Sequence, residues 1–126
     1  MVVTPHYLAS QSGLRVLQEG GNAVEAAIAA AAAIAVVYPE SNSIGGDNFW
    51  LIYDARQGGV HALNASGRSG SLATLDYYHR RGHARIPARG YAAANTVPGA
   101  VSGWQAAFDY ATANLQRGAP NWKGLL

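Results

Sequence analysis

The side chains with the most chemical potential in this chain are arginines, which make up eight of its nine basic residues, Lys123 being the exception. Arg68 stands in a small, polar run, Asn64 to Ser71 (Asn-Ala-Ser-Gly-Arg-Ser-Gly-Ser), just past an expected strand end. Functional groups are often carried at such places. A guanidinium held there can grip a carboxylate through two parallel hydrogen bonds. The other reading is a solvent-exposed loop arginine, and spacing alone leaves both open. Arg80, Arg81, Arg85 and Arg89 lie between Asp76 and Asp109 with no acidic residue among them. Such a run can bind phosphates, but aromatic interleaving is thin and no nucleic-acid motif accompanies it, so it reads as a solvated or inter-subunit face. His79 and His83 have the i, i+4 spacing of a metal pair. The zincin glutamate is missing, Gly82 interrupts, and Arg80, Arg81 and Arg85 repel a cation, so a solvated helix end is the better reading.

The remaining chemistry is sparse. There is no cysteine, which excludes disulfides, thiolate metal sites and a cysteine nucleophile. Gly45-Gly46 lacks the spacing of a nucleotide-binding loop, and no serine sits in a Gly-x-Ser-x-Gly elbow. Asp47 and Asp54 fall at opposite ends of one expected strand, so they cannot act as a pair. The chain offers no complete catalytic set, and neither a metal nor a cofactor is expected.

The elements that must position these groups come from a chain of 126 residues, 49% apolar and 13% charged. That balance excludes a disordered tail and is enough to bury a core. A net charge of +2 is too weak to argue for nucleic acid. Met1 to Ser10 lack a basic n-region and an apolar h-region, so no secretory signal is expected there. The longest uncharged apolar run, Ala26 to Pro39, is too short to span a bilayer, and no membrane association is expected.

Met1 to Thr4 reads as a short strand. Leu8, Leu14, Val16 and Leu17 then fall near helical spacing, and Gly20-Gly21 closes that helix. Asn22 suits the N-cap of a second helix, with Glu25 placed for a capping box. That helix, Ala23 to Val37, holds nine alanines and is apolar all round. A turn-rich loop, Ser41 to Asp47, leads into Asn48 to Tyr53, apolar on both faces and therefore expected as a central strand. Val60 to Leu63 returns as its hairpin partner. A short helix is expected over Leu72 to Arg81. Val97-Pro98-Gly99 precedes a last helix with Val101, Trp104, Phe108, Ala111 and Leu115 on one face, stopped at Gly118-Ala119-Pro120. Trp122, Leu125 and Leu126 have no following element to pack on. The all-apolar helix and this apolar terminus together read as part of a larger α/β protein.

Three segments, in order, carry a resemblance to the γ-glutamyltranspeptidase family. Gly20-Gly21-Asn22-Ala23-Val24-Glu25-Ala26-Ala27 after a short helix closely resembles that family's early signature. Ser43 to Asp54 (Ser-Ile-Gly-Gly-Asp-Asn-Phe-Trp-Leu-Ile-Tyr-Asp) is similar to its glycine-rich turn and core strand. Asn95 to Trp104 (Asn-Thr-Val-Pro-Gly-Ala-Val-Ser-Gly-Trp) resembles its Val-Pro-Gly helix start.

The resemblance implies an α/β (α+β) fold, part of the αββα sandwich of N-terminal-nucleophile hydrolases. It implies a precursor that cuts itself into large and small subunits, the new N-terminal Thr of the small subunit attacking an amide. Residues 1–126 would be the leading segment of the large subunit, with no internal domain boundary. The remainder of that subunit and the small subunit would be its partners. Thr4, Thr74, Thr96 and Thr112 do not lie in the nucleophile motif, so the chain contributes no catalytic residue and is expected to be inactive alone. The substrate would be a small amide with a free carboxylate, such as a γ-glutamyl compound like glutathione. In this family an arginine after the hairpin, typically within Asp-x-Arg-Glu, binds that carboxylate, and Arg68 is the matching residue. Here Asn64 replaces the acidic residue, two extra residues intervene, and Ser69 replaces the Glu. These departures look like a divergent branch whose members hydrolyse other small amides, oxamate among them. The rival reading is a non-catalytic domain that binds an anionic partner through Arg80–Arg89.

Overall fold

The computed structural model describes residues 1–115 and 122–125. The chain begins with two helices packed on each other, α1 (Tyr7–Gln18) and α2 (Ala23–Val37). α1 ends where Gly20 takes φ +89°, a left-handed conformation open to glycine. The capping box expected at α2 is present. Asn22 Oδ1 accepts from Val24 N–H (2.9 Å) and Glu25 N–H (3.0 Å), and Glu25 Oε2 accepts from Asn22 N–H (2.7 Å). The small side chains of α2 permit close approach: a Cβ added at Gly13 of α1 would come within 2.8 Å of the Ala26 carbonyl oxygen.

Two antiparallel strands follow, β1 (Asn48–Asp54) and β2 (Gly59–Ala65), in a register that pairs Trp50 with Leu63 and Ile52 with His61. A short helix, α3 (Leu75–Arg80), is capped by Thr74, whose Oγ1 accepts from Tyr77 N–H (3.2 Å). The long helix α4 (Ala100–Asn114) then lies against both the hairpin and α2, and a last turn, α5 (Trp122–Leu125), packs on α2. The core joins Val16, Val24, Ile28, Ile52, Trp104 and Leu125, with Ala26, Ala29, Ala107 and Ala111 between them. No helix among the described residues is long and apolar enough to cross a membrane.

Four expectations need correction. Met1 to Thr4 forms no strand. Its Thr4 hydroxyl instead donates to the His6 carbonyl (2.6 Å), because β-branched residues make a strand only beside a partner ladder. β1 is not central among the described residues: its sheet has two strands, and Phe49, Leu51 and Tyr53 face outward, Leu51 at 80% exposure. The helices cover one face only. On α4 the buried stripe is Ala100, Gly103, Trp104, Ala107 and Ala111, whereas Val101 is 44% exposed. Small residues let this helix sit close to its neighbours; Phe108 and Leu115 do pack against the core with Trp104 and Ala111, so of the expected face only Val101 turns outward. Leu125 is 5% exposed against α2, so the terminus does find something to pack on. Leu126, the Trp122 side chain and the expected stop at Gly118–Pro120 lie outside the described residues.

Among the described residues, two buried side-chain polar atoms have no hydrogen-bond partner, Asp54 Oδ2 and the Tyr110 hydroxyl. Tyr110 also packs against His61, their ring centroids 4.8 Å apart. Burial, and secondarily the charge of Asp54, hold the Tyr110 phenol above its ordinary value of 10.0. A raised acid favours the protonated form in the folded state, so this contribution is complete below pH 10.0 and is lost as pH rises through the folded value. Tyr110→Phe deletes a buried hydroxyl that bonds to nothing. The denaturation midpoint is expected to hold or rise at neutral pH and to fall less steeply at strongly alkaline pH. A lower midpoint at neutral pH would show that the hydroxyl has a stabilising partner.

Candidate functional site

Three loops converge at one end of the hairpin: the turn before β1, the run after β2 that carries Arg68, and the Val97-Pro98-Gly99 approach to α4. Three consecutive residues hold them together. The Gly46 carbonyl accepts from both Gly99 N–H (3.0 Å) and Ala100 N–H (2.9 Å), anchoring the first turn of α4. Asp47 Oδ1 accepts from Gly67 N–H at 2.7 Å. Asn48 Nδ2 donates to the Ala100 carbonyl (2.8 Å), while its Oδ1 accepts from Trp50 Nε1–H (3.1 Å).

The Arg68 run is further laced to the approach to α4. Val97 N–H donates to the Arg68 carbonyl (2.8 Å), Gly70 N–H donates to the Asn95 carbonyl (2.8 Å), and Ser69 bridges Thr96. Glycine is required where these backbones touch. A Cβ at Gly67 would collide with the Val97 carbonyl, and one at Gly99 with the Ala65 carbonyl.

The result is an open pocket of about 460 Å³ whose lining includes Asn64, Ser66, Arg68, Val97, Pro98 and Ser102. The Ser66 N–H is taken by Asn64 Oδ1 (2.9 Å), and Ser102 Oγ donates to the Gly99 carbonyl (2.9 Å). Arg68 is exposed, and the one ion pair among the described residues is Arg15–Glu19 (2.8 Å), so no carboxylate of these residues neutralises it. The lining holds no histidine, aspartate or glutamate to serve as a base. Such a site can bind an anion; it cannot by itself activate a nucleophile.

The other candidates lie elsewhere. Arg80, Arg81, Arg85 and Arg89 are all exposed. Arg80 Nε–H donates to the Asp76 carbonyl (3.2 Å), and the Arg81 guanidinium sits 3.8 Å from the centre of the Tyr77 ring. These two border a separate hollow of about 270 Å³ that shares no lining residue with the Arg68 pocket. α3 ends at Arg80, so His79 and His83 do not share a helix, and His83 lies edge-on to Tyr78 instead. Among the described residues no three or more of His, Asp and Glu gather as metal ligands. Asp47 and Asp54 do stand at opposite ends of β1. The sequence reading places Asp47 and Ser102 in family-like segments and gives neither a role at the site. A carboxylate directly after two glycines, where the chain can approach another backbone, was the available signal.

The family model for γ-glutamyltranspeptidase matches residues 9–117. The chain belongs to that family. It is 60% identical over 104 residues to the oxamate amidohydrolase proenzyme of Klebsiella pneumoniae, a match covering 82% of this chain and 19% of that protein. It is 52% identical over 106 residues to the glutathione hydrolase-like YwrD proenzyme of Bacillus subtilis, covering 84% of this chain and 20% of the relative. The crystal structure of the Helicobacter pylori γ-glutamyltranspeptidase superposes with a TM-score of 0.81 at 34% identity, over 99% of this chain and 34% of that one. The fold is therefore that of the N-terminal-nucleophile hydrolases, and the hairpin with its helices is one part of their αββα sandwich. The chain spans about a fifth of the length of these curated relatives.

Proposed function

We propose that residues 1–126 form the leading segment of the large subunit of a self-cleaving amide hydrolase, and that Arg68 binds the free carboxylate of a small amide substrate. The observation that carries this reading is the unpaired Arg68 on a pocket walled by Ser66, Val97, Pro98 and Ser102, in a chain of this family. A guanidinium there presents a fork of donors suited to both oxygens of a carboxylate. The pocket lacks a base, which fits a division of labour: this segment holds the substrate, while an N-terminal Thr of the small subunit supplies the nucleophile. The rest of the large subunit and the small subunit are then its partners. Oxamate, a two-carbon amide with an adjacent carboxylate, is the first substrate to try, given the identity to a protein named for that activity. A γ-glutamyl amide is the second.

The test is to express the full-length protein, look for two polypeptides on a gel, and assay oxamate and a γ-glutamyl anilide beside their neutral esters. Self-cleavage and preference for the free carboxylate are expected. The isolated 126-residue chain is expected to turn over neither amide, since losing an oxyanion donor or nucleophile costs orders of magnitude in rate. Turnover by that chain above a heat-killed control, or a full-length enzyme indifferent to the carboxylate, refutes the proposal.

A further inference from the structure

We propose that Asp47 is a positioning residue for substrate carboxylate binding, acting through the backbone of the Arg68 loop; the inference rests on the reading of Arg68 given above. Asp47 does not line the pocket. Its Oδ1 instead receives the N–H of Gly67, the residue immediately before Arg68, across 20 positions of sequence and at 2.7 Å. A carboxylate accepting a backbone N–H makes a short, charge-assisted bond, stronger than a neutral one. On the other side of Arg68, the Arg68 carbonyl is held by Val97 N–H (2.8 Å). The Ser66–Gly67 peptide unit, one Cα before Arg68, and the Arg68–Ser69 unit after it are thus pinned, one by a side chain and one by backbone.

The side-chain pin is the adjustable one. Gly46 and Asn48, which flank Asp47, are bonded to the first turn of α4. Asp47 therefore reaches the Arg68 loop from a base already fixed to the opposite wall of the pocket. Its bond is the side-chain hold on the N-terminal side of Arg68, beside the backbone bonds that tie the C-terminal side to the approach to α4. Because no side chain of the described residues pairs with the guanidinium, the direction in which Arg68 projects depends on how its backbone is held. A binding group must be kept close to its productive geometry to deliver its full interaction, and a loop arginine freed at one peptide unit loses part of it.

The experiment uses the full-length protein and compares Asp47→Ala, Asp47→Asn, Arg68→Ala and the Asp47→Ala/Arg68→Ala double variant. Each is checked for self-cleavage on a gel, then assayed with the carboxylate-bearing amide and its neutral ester. Asp47→Ala is expected to raise KM for the free carboxylate by about fivefold, with kcat and the KM of the neutral ester little changed. Asp47→Asn keeps an oxygen acceptor while losing the charge, so it is expected to recover most of that loss. The double variant is expected to be no worse than Arg68→Ala, since a residue acting through Arg68 has nothing left to position. If Asp47→Ala is not processed, Asp47→Ser, whose hydroxyl falls short of Gly67 N–H, serves the same comparison. Equal losses on both substrates, equal losses in the Ala and Asn variants, or additive losses in the double variant overturn the inference. Arg68→Ala with the carboxylate preference intact would sink the Arg68 reading itself. Loss of that preference in Arg68→Ala, with Asp47→Ala unaffected, would sink only the role of Asp47.

Discussion

Arg68→Ala in the full-length protein is expected to lower kcat/KM for a carboxylate-bearing amide by about 30-fold. Truncating one side of a hydrogen-bonded charge pair costs about 2–5 kcal/mol when the other charge is left buried. Arg68 is exposed in this chain, so desolvation is completed only by the substrate, and the lower bound of about 2 kcal/mol is the appropriate figure. Arg68→Lys keeps the charge but loses the fork, so a smaller loss is expected. A grip equally strong in ground and transition states appears in KM rather than kcat. The neutral ester should respond little to either substitution. Self-cleavage is expected to survive both, because the role proposed for Arg68 is to hold substrate and not to make the nucleophile. If Arg68→Ala leaves the carboxylate preference unchanged, Arg68 is a solvated loop residue.

Gly103→Ala is expected to destabilise the fold by about 2–3 kcal/mol, against the sign that helix propensity predicts. In the middle of a helix, Ala is ordinarily better than Gly by about 1 kcal/mol. Gly103 lies in α4 where the helix crosses the start of the hairpin. A Cβ there would collide with Asn48 Oδ1 and the Ala65 methyl. Relief requires moving Asn48, which holds both the Ala100 carbonyl and Trp50 Nε1–H. Overpacking costs about 1–3 kcal/mol and each lost hydrogen bond about 1 kcal/mol more, which outweighs the propensity gain. Gly70→Ala is the control: the nearest atom to an added Cβ is the Asn95 carbonyl oxygen at 3.9 Å, an ordinary contact. It should shift stability by less than about 0.5 kcal/mol. Chemical denaturation of the two variants beside wild type decides the matter. A stabilised Gly103→Ala would mean that α4 can slide away from the hairpin without cost.

Local chemistry was legible in the sequence wherever its effect stays local. The bounds of α2, with Asn22 and Glu25 as a reciprocal cap, follow from side chains bonding backbone three residues away. The β1–β2 hairpin follows from two apolar runs across a short turn, and the family from three motifs in order. Arg68 could be singled out because an arginine in a Ser/Gly loop after a strand is a local pattern too. Its surroundings could not. That Asp47 reaches Gly67, that Gly46 anchors α4, and that Val97 bonds the Arg68 carbonyl are contacts across 20 to 54 positions, set by how the hairpin and α4 meet. The same holds for the face α4 buries. Alanine and glycine carry little hydrophobic signal, yet their small size is what lets one backbone approach another, so Gly103 rather than Val101 points inward. Likewise Leu125 is buried because α2 happens to lie beside it, and Leu51 is exposed because no described element covers the outer face of β1. Hydrophobicity says that a residue gains by burial; only the tertiary arrangement supplies the surface that buries it.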